Sequence, residues 1–207
     1  MKPFGLVLAA LLLCFTSFTY AQPSSLPATH ISGSETLARL KQGGLILYFR
    51  HTSTDFGQND EQMTNYEDCS HQRNLTDKGR TEAKAIGTAI RRLGIPIASV
   101  TASPFCRTLE TARLAFGKAS ASSDARGGPA QSVDGDRYAG LRRLLSTAPA
   151  AGSNAVIVSH GNPFHAVAGP PHLAEGEAAV IAPKGEKGFE IIARIRADEW
   201  ASLEARP

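Results

Sequence analysis

The sequence lacks a dense run of lysine and arginine, and its formal net charge is only +3. Removal of Lys2 with an N-terminal signal lowers that charge from +3 to +2. Proteins that bind nucleic acid concentrate positive charge in a patch or a tail. The composition therefore argues against nucleic acid as a partner.

The chain starts with an apolar segment that is too short to anchor it in a membrane. A spanning helix needs about 20 apolar residues, whereas the apolar stretch here covers residues 5–15. It follows Lys2 and precedes Thr19-Tyr20-Ala21, a pattern typical of a cleavable secretory signal over residues 1–21. We therefore predict a periplasmic or secreted protein with no stable membrane anchor after cleavage; a retained anchor is the alternative.

Cysteine is scarce as well, with three residues in the chain, one of which lies in the predicted signal. The remaining pair, Cys69 and Cys106, is typical of a disulfide in an oxidising compartment, although two buried thiols are the alternative. As metal ligands they would need close partners, and only Cys69-Ser70-His71 offers one. We predict no metal site and no cofactor.

The rest of the chain predicts a short flexible leader (22–34) and one domain (35–207). Helices are expected at about 35–41, 76–93, 105–116 and 137–146, and a short one after His160. Strands are expected at 45–49, 97–102, 155–159, 178–183 and 189–195, with loops at 52–74 and 117–136. This alternation predicts a three-layer α/β/α fold with a mostly parallel sheet and a closing antiparallel hairpin.

Two histidines follow predicted strands of this sheet. Arg50-His51 ends the apolar run LILYF, and His160 ends the run NAVIVS. Ligands of open α/β sheets bind where the strands end. A histidine beside an arginine at that edge indicates a site where imidazole attacks an anionic group.

Four motifs carry a resemblance to a known family. They are Arg50-His51, Leu75-Thr76-x-x-Gly79-x-x-x-Ala83, Ser103-Pro104-x-x-Arg107-Thr108-x-Glu110-Thr111-Ala112 and Ser159-His160-Gly161-Asn162. In order and spacing they resemble the histidine phosphatase superfamily, which has the phosphoglycerate-mutase-like fold. The chain looks most like small periplasmic bacterial members, including those proposed to act on lipopolysaccharide phosphates.

The resemblance implies a secreted phosphatase that hydrolyses phosphomonoesters of a small phosphorylated substrate. His51 would be the nucleophile and form a phosphohistidine, since imidazole with a pKa near 6.5 is largely neutral at pH 7. Arg50, Arg107 and His160 would surround the phosphate, because guanidinium groups match its oxygens.

The chain departs from the family after the nucleophile. Thr52 replaces the usual glycine, and a β-branched residue disfavours positive φ, so we predict an ordinary backbone conformation there. Gly57 stands where many relatives have a phosphate-contacting asparagine. Thr54 and Asn59 are the candidate substitutes, and we predict Thr54 as a phosphate ligand.

The proton donor to the leaving group has several candidates. Gly161 and Asn162 supply no acid after His160, and the polar loop offers Asp134 and Asp136. The start of the strand at 178–183 offers Glu175 and Glu177. If that strand is antiparallel, its start lies at the edge where the parallel strands end, so we predict Glu177 as the donor.

Two other functions compete with hydrolysis. A mutase is possible on this fold, but phosphoglycerate chemistry belongs in the cytosol and the predicted signal argues against it. A catalytically weak phosphate- or glycan-binding module would keep the arginines and lose the nucleophile. Because His51 is present, we favour the enzyme.

Overall fold

The computed structural model describes residues 31–127 and 136–205. The predicted signal, residues 22–30 of the predicted leader, and Asp134 lie outside these ranges. The helices are α1 (Gly33–Gln42), α2 (Asp77–Arg92), α3 (Cys106–Phe116), α4 (Ser123–Arg126), α5 (Ala139–Ser146) and α6 (Gly161–Ala168). The strands are β1 (Ile46–Arg50), β2 (Ile97–Ala102), β3 (Ser120–Ala121), β4 (Asn154–Ser159), β5 (Ala178–Pro183) and β6 (Phe189–Ile195). Short 3-10 helices lie at Cys69–His71, Gly185–Lys187 and Trp200–Ala205.

The strands form one sheet with the order β3-β2-β4-β1-β5-β6. Pairing is parallel from β3 to β1, whereas β5 pairs antiparallel with both β1 and β6. Right-handed crossovers through helices explain how strands distant in sequence become neighbours. The predicted fold class, a mostly parallel sheet with antiparallel pairing near the C-terminus, is confirmed.

The helices cover both faces of the sheet, which gives three layers. Phe49 and Val158 face one side and pack with α1, α2, α3 and the 3-10 helix that contains Trp200. Tyr48 and Ile157 face the other side and pack with α4, α5 and α6. Neighbouring residues of β1 and β4 thus enter opposite cores, as the alternation of side chains along a strand requires. This double coverage explains why both strands are apolar between their polar end residues.

Helix α2 begins where the motif Leu75-Thr76-x-x-Gly79 predicts it to begin. The Thr76 hydroxyl accepts a hydrogen bond from the Gly79 N–H at 3.0 Å, a typical N-cap. A Cβ on Gly79 would collide with the carbonyl of Ser53, two residues after His51. The glycine therefore lets α2 pack directly against the loop that leaves β1.

Several elements were not predicted, among them β3, α4 and the last 3-10 helix. The segment 117–136, expected to be a loop, contains β3 and α4, because Ser120 extends the sheet beside Thr101 and Ala125 is fully buried against the second core. The residues of this edge strand are small or polar, so they show no hydrophobic alternation from which a strand could be predicted. The 3-10 helix Trp200–Ala205 buries Trp200 and Leu203. In the described ranges no helix is both long enough and apolar enough to cross a membrane.

Candidate active site

The two sequence-predicted histidines meet at one edge of the sheet. Strands β1 and β4 pair in parallel with Arg50 opposite Ser159, so His51 and His160 leave the sheet side by side. Their ring centroids lie 5.6 Å apart at a steep angle. The strand pairing therefore creates the site that the sequence indicated.

His160 is held in place by three strands. Ser103, which follows β2, contributes a hydroxyl that lies 2.8 Å from Nε2 of His160. The buried Tyr48 of β1 donates a hydrogen bond to the His160 carbonyl at 2.9 Å. Phe105 packs against the His160 ring edge-on, with centroids 4.9 Å apart. These contacts fix both the backbone and the ring of His160.

The hydrogen bonding of His51 determines its tautomer. Nδ1 lies 2.9 Å from the carbonyl oxygen of Thr52. A carbonyl can only accept, so Nδ1 carries the proton and the neutral ring has its lone pair on Nε2. The His51 side chain is almost fully buried. The local backbone therefore orients one nitrogen of His51 as a potential nucleophile.

Both histidines are held in the neutral form. Burial is the largest cause that lowers the pKa of His51 to about 3; the hydrogen bond to the Thr52 carbonyl opposes it, and the positive charges of Arg107 and Arg50 lower the pKa further. Burial also lowers the pKa of His160 well below its usual value, with Arg107 and His51 adding to the effect. An unprotonated imidazole is what nucleophilic attack requires.

Both histidines line a cavity of about 390 Å³, whose other lining residues include several arginines. Asp60 is the carboxylate residue among the described residues that line it. The arginines that line the same cavity are Arg50, Arg73, Arg107, Arg126 and Arg137. The sequence analysis missed Asp60 and three of these arginines because they lie in irregular segments or at helix ends, where no motif marks them.

Arg107 lies at the start of α3 and is only 5% exposed. Its Nη1 donates to Asp60 at 2.9 Å and to the Arg73 carbonyl at 3.2 Å, and its plane lies 4.3 Å from the Phe105 ring centroid. Its buried Nε has no hydrogen-bond partner in the described structure. Arg107 is therefore held in place by several contacts and lines the cavity, and its role as a phosphate ligand stays a prediction.

Arg50 is anchored from the opposite side. Its Nη1 donates to the Leu173 carbonyl at 2.8 Å, and its Nη2 lies 3.5 Å from Oε1 of Glu175. Its Nε is buried and unpartnered in the described structure. Arg50 and Arg107 thus line the same cavity as His51 and are anchored by different segments of the chain.

The structure does not bring the side chain of Glu177, the predicted proton donor, to the cavity, although its strand runs antiparallel as the prediction assumed. Strand β5 is antiparallel, and the Glu177 carbonyl accepts the Arg50 N–H at 3.0 Å at the expected edge. The Glu177 side chain, however, accepts from Nε of Arg194 at 2.7 Å and from the Ala174 N–H at 2.6 Å. Because Arg194 lies on β6, this ion pair turns the carboxylate toward the outer edge of the sheet, and Glu177 does not line the cavity.

Thr54 also departs from its predicted role as a phosphate ligand. Its hydroxyl donates to Oε1 of Glu175 at 2.6 Å, and its N–H donates to the other oxygen at 3.2 Å. Thr54 is buried and lies outside the cavity lining. Its contacts hold Glu175 in position instead.

Glu175 lies behind the candidate nucleophile. Its Oε1 is 3.9 Å from Nδ1 of His51, which is the nitrogen that faces away from attack. Glu175 lines a separate cavity of about 600 Å³ together with Ser53 and Arg196. The carboxylate is therefore placed to stabilise positive charge on the His51 ring, not to reach a leaving group.

The remaining sequence candidates lie away from the cavity. Asp136 is exposed and binds Arg142, and Asn59 is exposed and accepts the Glu61 N–H. No described non-glycine residue has a positive φ, so Thr52 has the ordinary backbone that was expected. Its N–H lies 3.3 Å from the Thr111 hydroxyl, which ties the first loop turn to α3.

A disulfide joins Cys69 to Cys106, with Cα atoms 5.7 Å apart. It links the loop that carries Asp60 and Arg73 to the residue before Arg107. Gln72 adds a second link, because its side-chain oxygen accepts the Cys106 N–H at 2.9 Å. The loop and the start of α3 therefore form one connected wall of the cavity.

The described residues contain no group of three or more His, Cys, Asp or Glu side chains that could hold a metal ion. What the cavity offers is fixed guanidinium groups around a neutral imidazole. Guanidinium forks suit phosphate oxygens, and imidazole suits covalent transfer. Fold and site together define an α/β protein with an arginine-rich cavity built around two histidines at one edge of the sheet.

The comparisons with known proteins agree with this class. The family model of the histidine phosphatase superfamily (branch 1) matches residues 46–127. This match covers less than half of the 207 residues, so it is a similarity to that superfamily over the part of the chain from β1 to α4. Among curated proteins, none matches the chain.

Several solved structures are similar to this one. The protein histidine phosphatase SixA complexed with tungstate has a TM-score of 0.52 and 14% identity, over 75% of this chain and 98% of that chain. A mutant phosphoserine phosphatase from Entamoeba histolytica in complex with phosphoserine has a TM-score of 0.48 and 13% identity, over 72% of this chain and 95% of that chain. YhfR of Bacillus stearothermophilus has a TM-score of 0.47 and 16% identity, over 72% of this chain and 95% of that chain. At these identities the first likeness establishes a shared fold.

We expect the disulfide to stabilise the protein by restricting the unfolded chain. The cysteines are 37 positions apart, and closing a loop of that length contributes roughly 3–4 kcal/mol in the chain-entropy account. Replacing Cys69 and Cys106 by serine should lower the free energy of unfolding in urea by about that amount. Reductant should destabilise the unaltered protein similarly and leave the double variant unchanged. An unaltered protein that does not respond to reductant would contradict this expectation.

We expect His51 to stay neutral in mildly acidic solution. Its folded pKa of about 3 lies below the value of about 6.5 for an unfolded imidazole. Protonation therefore favours the unfolded chain, and this contribution to stability is lost as pH falls from about 6.5 toward the folded pKa. Nitrogen NMR of labelled histidine should show His51 with Nδ1 protonated and Nε2 bare at pH 5. A titration midpoint near 6.5 would disprove the assignment.

Proposed function

We propose that this protein is a phosphatase that hydrolyses phosphomonoesters through a phosphohistidine on His51. The observation that carries the proposal is the His51 ring itself. Its Nδ1 proton is held by the Thr52 carbonyl, and its neutral Nε2 belongs to a cavity lined by five arginines. A positioned neutral nucleophile in a field of fixed cations suits transfer of a phosphoryl group.

In the first step, Arg50 and Arg107 bind the phosphate oxygens and neutralise their charge. Nε2 of His51 attacks phosphorus, the P–N bond forms, and the bond to the leaving oxygen breaks. The leaving oxygen keeps the electron pair and takes a proton. Because the arginines are already held by protein contacts, they stabilise the transferring group without reorganising.

In the second step, water attacks the phosphohistidine, the P–N bond breaks, and His51 leaves with its electron pair. While it is phosphorylated, the His51 ring carries positive charge. The Glu175 carboxylate, 3.9 Å from Nδ1, stabilises that charge. Its own position is fixed by two hydrogen bonds from Thr54.

We propose Asp60 as the group that transfers protons at the leaving oxygen and the attacking water. It is the carboxylate that the described residues place on the cavity wall. Burial by itself raises its pKa, but hydrogen bonds from Arg107 and from the Arg73 N–H lower the pKa of Asp60 below its usual range. A phosphate dianion bound to Arg107 adds negative charge beside Asp60, which raises that pKa and favours the protonated acid.

We also propose that the protein acts outside the cytoplasm, on envelope phosphosugars such as those of lipopolysaccharide. The support is the apolar N-terminal segment (5–15), which follows Lys2. A disulfide between Cys69 and Cys106 agrees with an oxidising compartment. We further propose that the hydrolysis requires no metal ion.

The purified protein should release phosphate from nitrophenyl phosphate and from phosphosugars in the presence of EDTA. His51→Ala should abolish turnover because it removes the nucleophile, and Arg107→Ala should reduce it by about a hundredfold or more, as for loss of one fixed oxyanion donor. Arg113→Ala, an exposed change on the same helix, is the control and should leave the rate unchanged. Acid-labile phosphate trapped on another residue, or activity lost to EDTA and restored by a divalent ion, would overturn the proposal.

The role of Asp60 is tested by the leaving group. A sugar hydroxyl is a poor leaving group and needs a proton, whereas nitrophenolate departs without one. Asp60→Asn should therefore slow sugar phosphate hydrolysis by roughly 10²–10⁴-fold and affect nitrophenyl phosphate much less. Glu61→Gln, a change of the exposed neighbouring carboxylate, should alter neither rate. Equal losses on both substrates would show that Asp60 only positions Arg107.

A further inference from the structure

The cavity has more positive charge than one phosphate needs. Five arginines and one carboxylate line it, and both of its histidines are neutral. A phosphate monoester carries about two negative charges at most near pH 7. The Glu175 carboxylate, which lies 3.5 Å from Arg50 behind the cavity wall, offsets one further charge. About one positive charge therefore remains without a counter-charge when one phosphate is bound.

The arginines fall into an inner and an outer set. Arg107, Arg50 and Arg73 are the cations whose charges act on His51. Arg126 ends α4 and Arg137 lies shortly before α5. Both line the same cavity from these segments, and we call them the outer pair.

Among the residues that the structure describes, no carboxylate pairs with this outer pair. In the described structure neither Arg126 nor Arg137 has an acidic partner, and the Nε of Arg137 is buried without a hydrogen bond. The carboxylates nearest to them in sequence bind Arg142 and Arg143 instead. The guanidinium groups of the outer pair are therefore available to a ligand.

Aromatic rings support the outer pair. The Arg126 guanidinium lies 5.6 Å from the Phe105 ring centroid and 5.8 Å from that of Tyr66. The Arg137 guanidinium lies 5.2 Å from the Tyr138 ring centroid. Such contacts orient an arginine without using its N–H donors. Phe105 and Tyr138 also line the cavity, between the charged groups.

We propose that Arg126 and Arg137 form a subsite for a second anionic group, a phosphate or a carboxylate, on the same substrate molecule. This inference rests on the proposed function, in which the first phosphate binds at His51. A volume of about 390 Å³ accommodates a sugar-sized body between the two anions. The preferred substrates are then doubly anionic phosphosugars, which bind at both ends of the cavity.

Three substrates that differ at one carbon test the subsite. Glucose 1-phosphate has a hydroxyl at carbon 6, glucuronic acid 1-phosphate has a carboxylate there, and glucose 1,6-bisphosphate has a second phosphate. At least one doubly anionic substrate should have a kcat/KM about tenfold or more above that of glucose 1-phosphate, the factor expected from one charge-assisted contact. The better of the two identifies the second group. Equal kcat/KM for all three would overturn the subsite.

Variants locate the effect. In the double variant Arg126→Gln with Arg137→Gln, kcat/KM for the doubly anionic substrate should fall close to kcat/KM for glucose 1-phosphate, so that the ratio of the two is near one. Arg113→Gln removes an exposed positive charge elsewhere and should preserve the ratio. A preference that survives in the double variant would show that other residues read the second anion.

A binding measurement separates this inference from the proposed function. Calorimetry of the His51→Ala variant with glucose 1-phosphate and glucose 1,6-bisphosphate reports the same preference without turnover. Tighter binding of the bisphosphate, lost in the variant that also lacks Arg126 and Arg137, supports the subsite even if the unaltered protein hydrolyses nothing. Equal binding alongside normal hydrolysis overturns the subsite and leaves the phosphatase assignment intact.

Discussion

The parallel pairing of β1 with β4 is the constraint on which the site depends. It places Arg50 opposite Ser159, so that His51 and His160 leave adjacent strands at the same edge. The two strands are buried on both faces, which makes their register costly to change because a shift by one residue would move every side chain to the other core. The stability of the sheet and the geometry of the histidines are therefore one property of the molecule.

Around this edge, irregular segments supply the charge. The loop after β1 carries Asp60 and Arg73, and the disulfide and Gln72 tie it to α3 beside Arg107. Irregular backbone is ordinarily the most mobile part of a fold. Here covalent and hydrogen-bonded links hold it against a helix that packs on the core. This arrangement keeps several like charges close together, where their mutual repulsion would otherwise favour an open loop.

The two sides of the His51 ring have different electrostatic environments. On the cavity side, burial and neighbouring arginines keep the imidazole neutral and therefore nucleophilic. Behind the ring, the Glu175 carboxylate provides the negative charge that a phosphorylated imidazole requires. A single ring in this position can alternate between a neutral and a cationic state, because each state has its own stabilising environment. Thr54, which seemed from the sequence to be a phosphate ligand, serves this second environment.

The sequence by itself determined the alternation of strands and helices and the identity of the strand-ending residues Arg50, His51 and His160. Those features depend on local pattern and on motifs, which a linear chain displays directly. Only the tertiary structure decided which carboxylate faces the cavity. Glu177 sits at the predicted edge, yet Arg194 of the neighbouring strand turns its side chain away, while Asp60 arrives from a loop with no pattern of its own. The positions of the outer arginines Arg126 and Arg137 in the cavity lining could not be predicted either, because the segments that form the cavity meet only in the folded sheet.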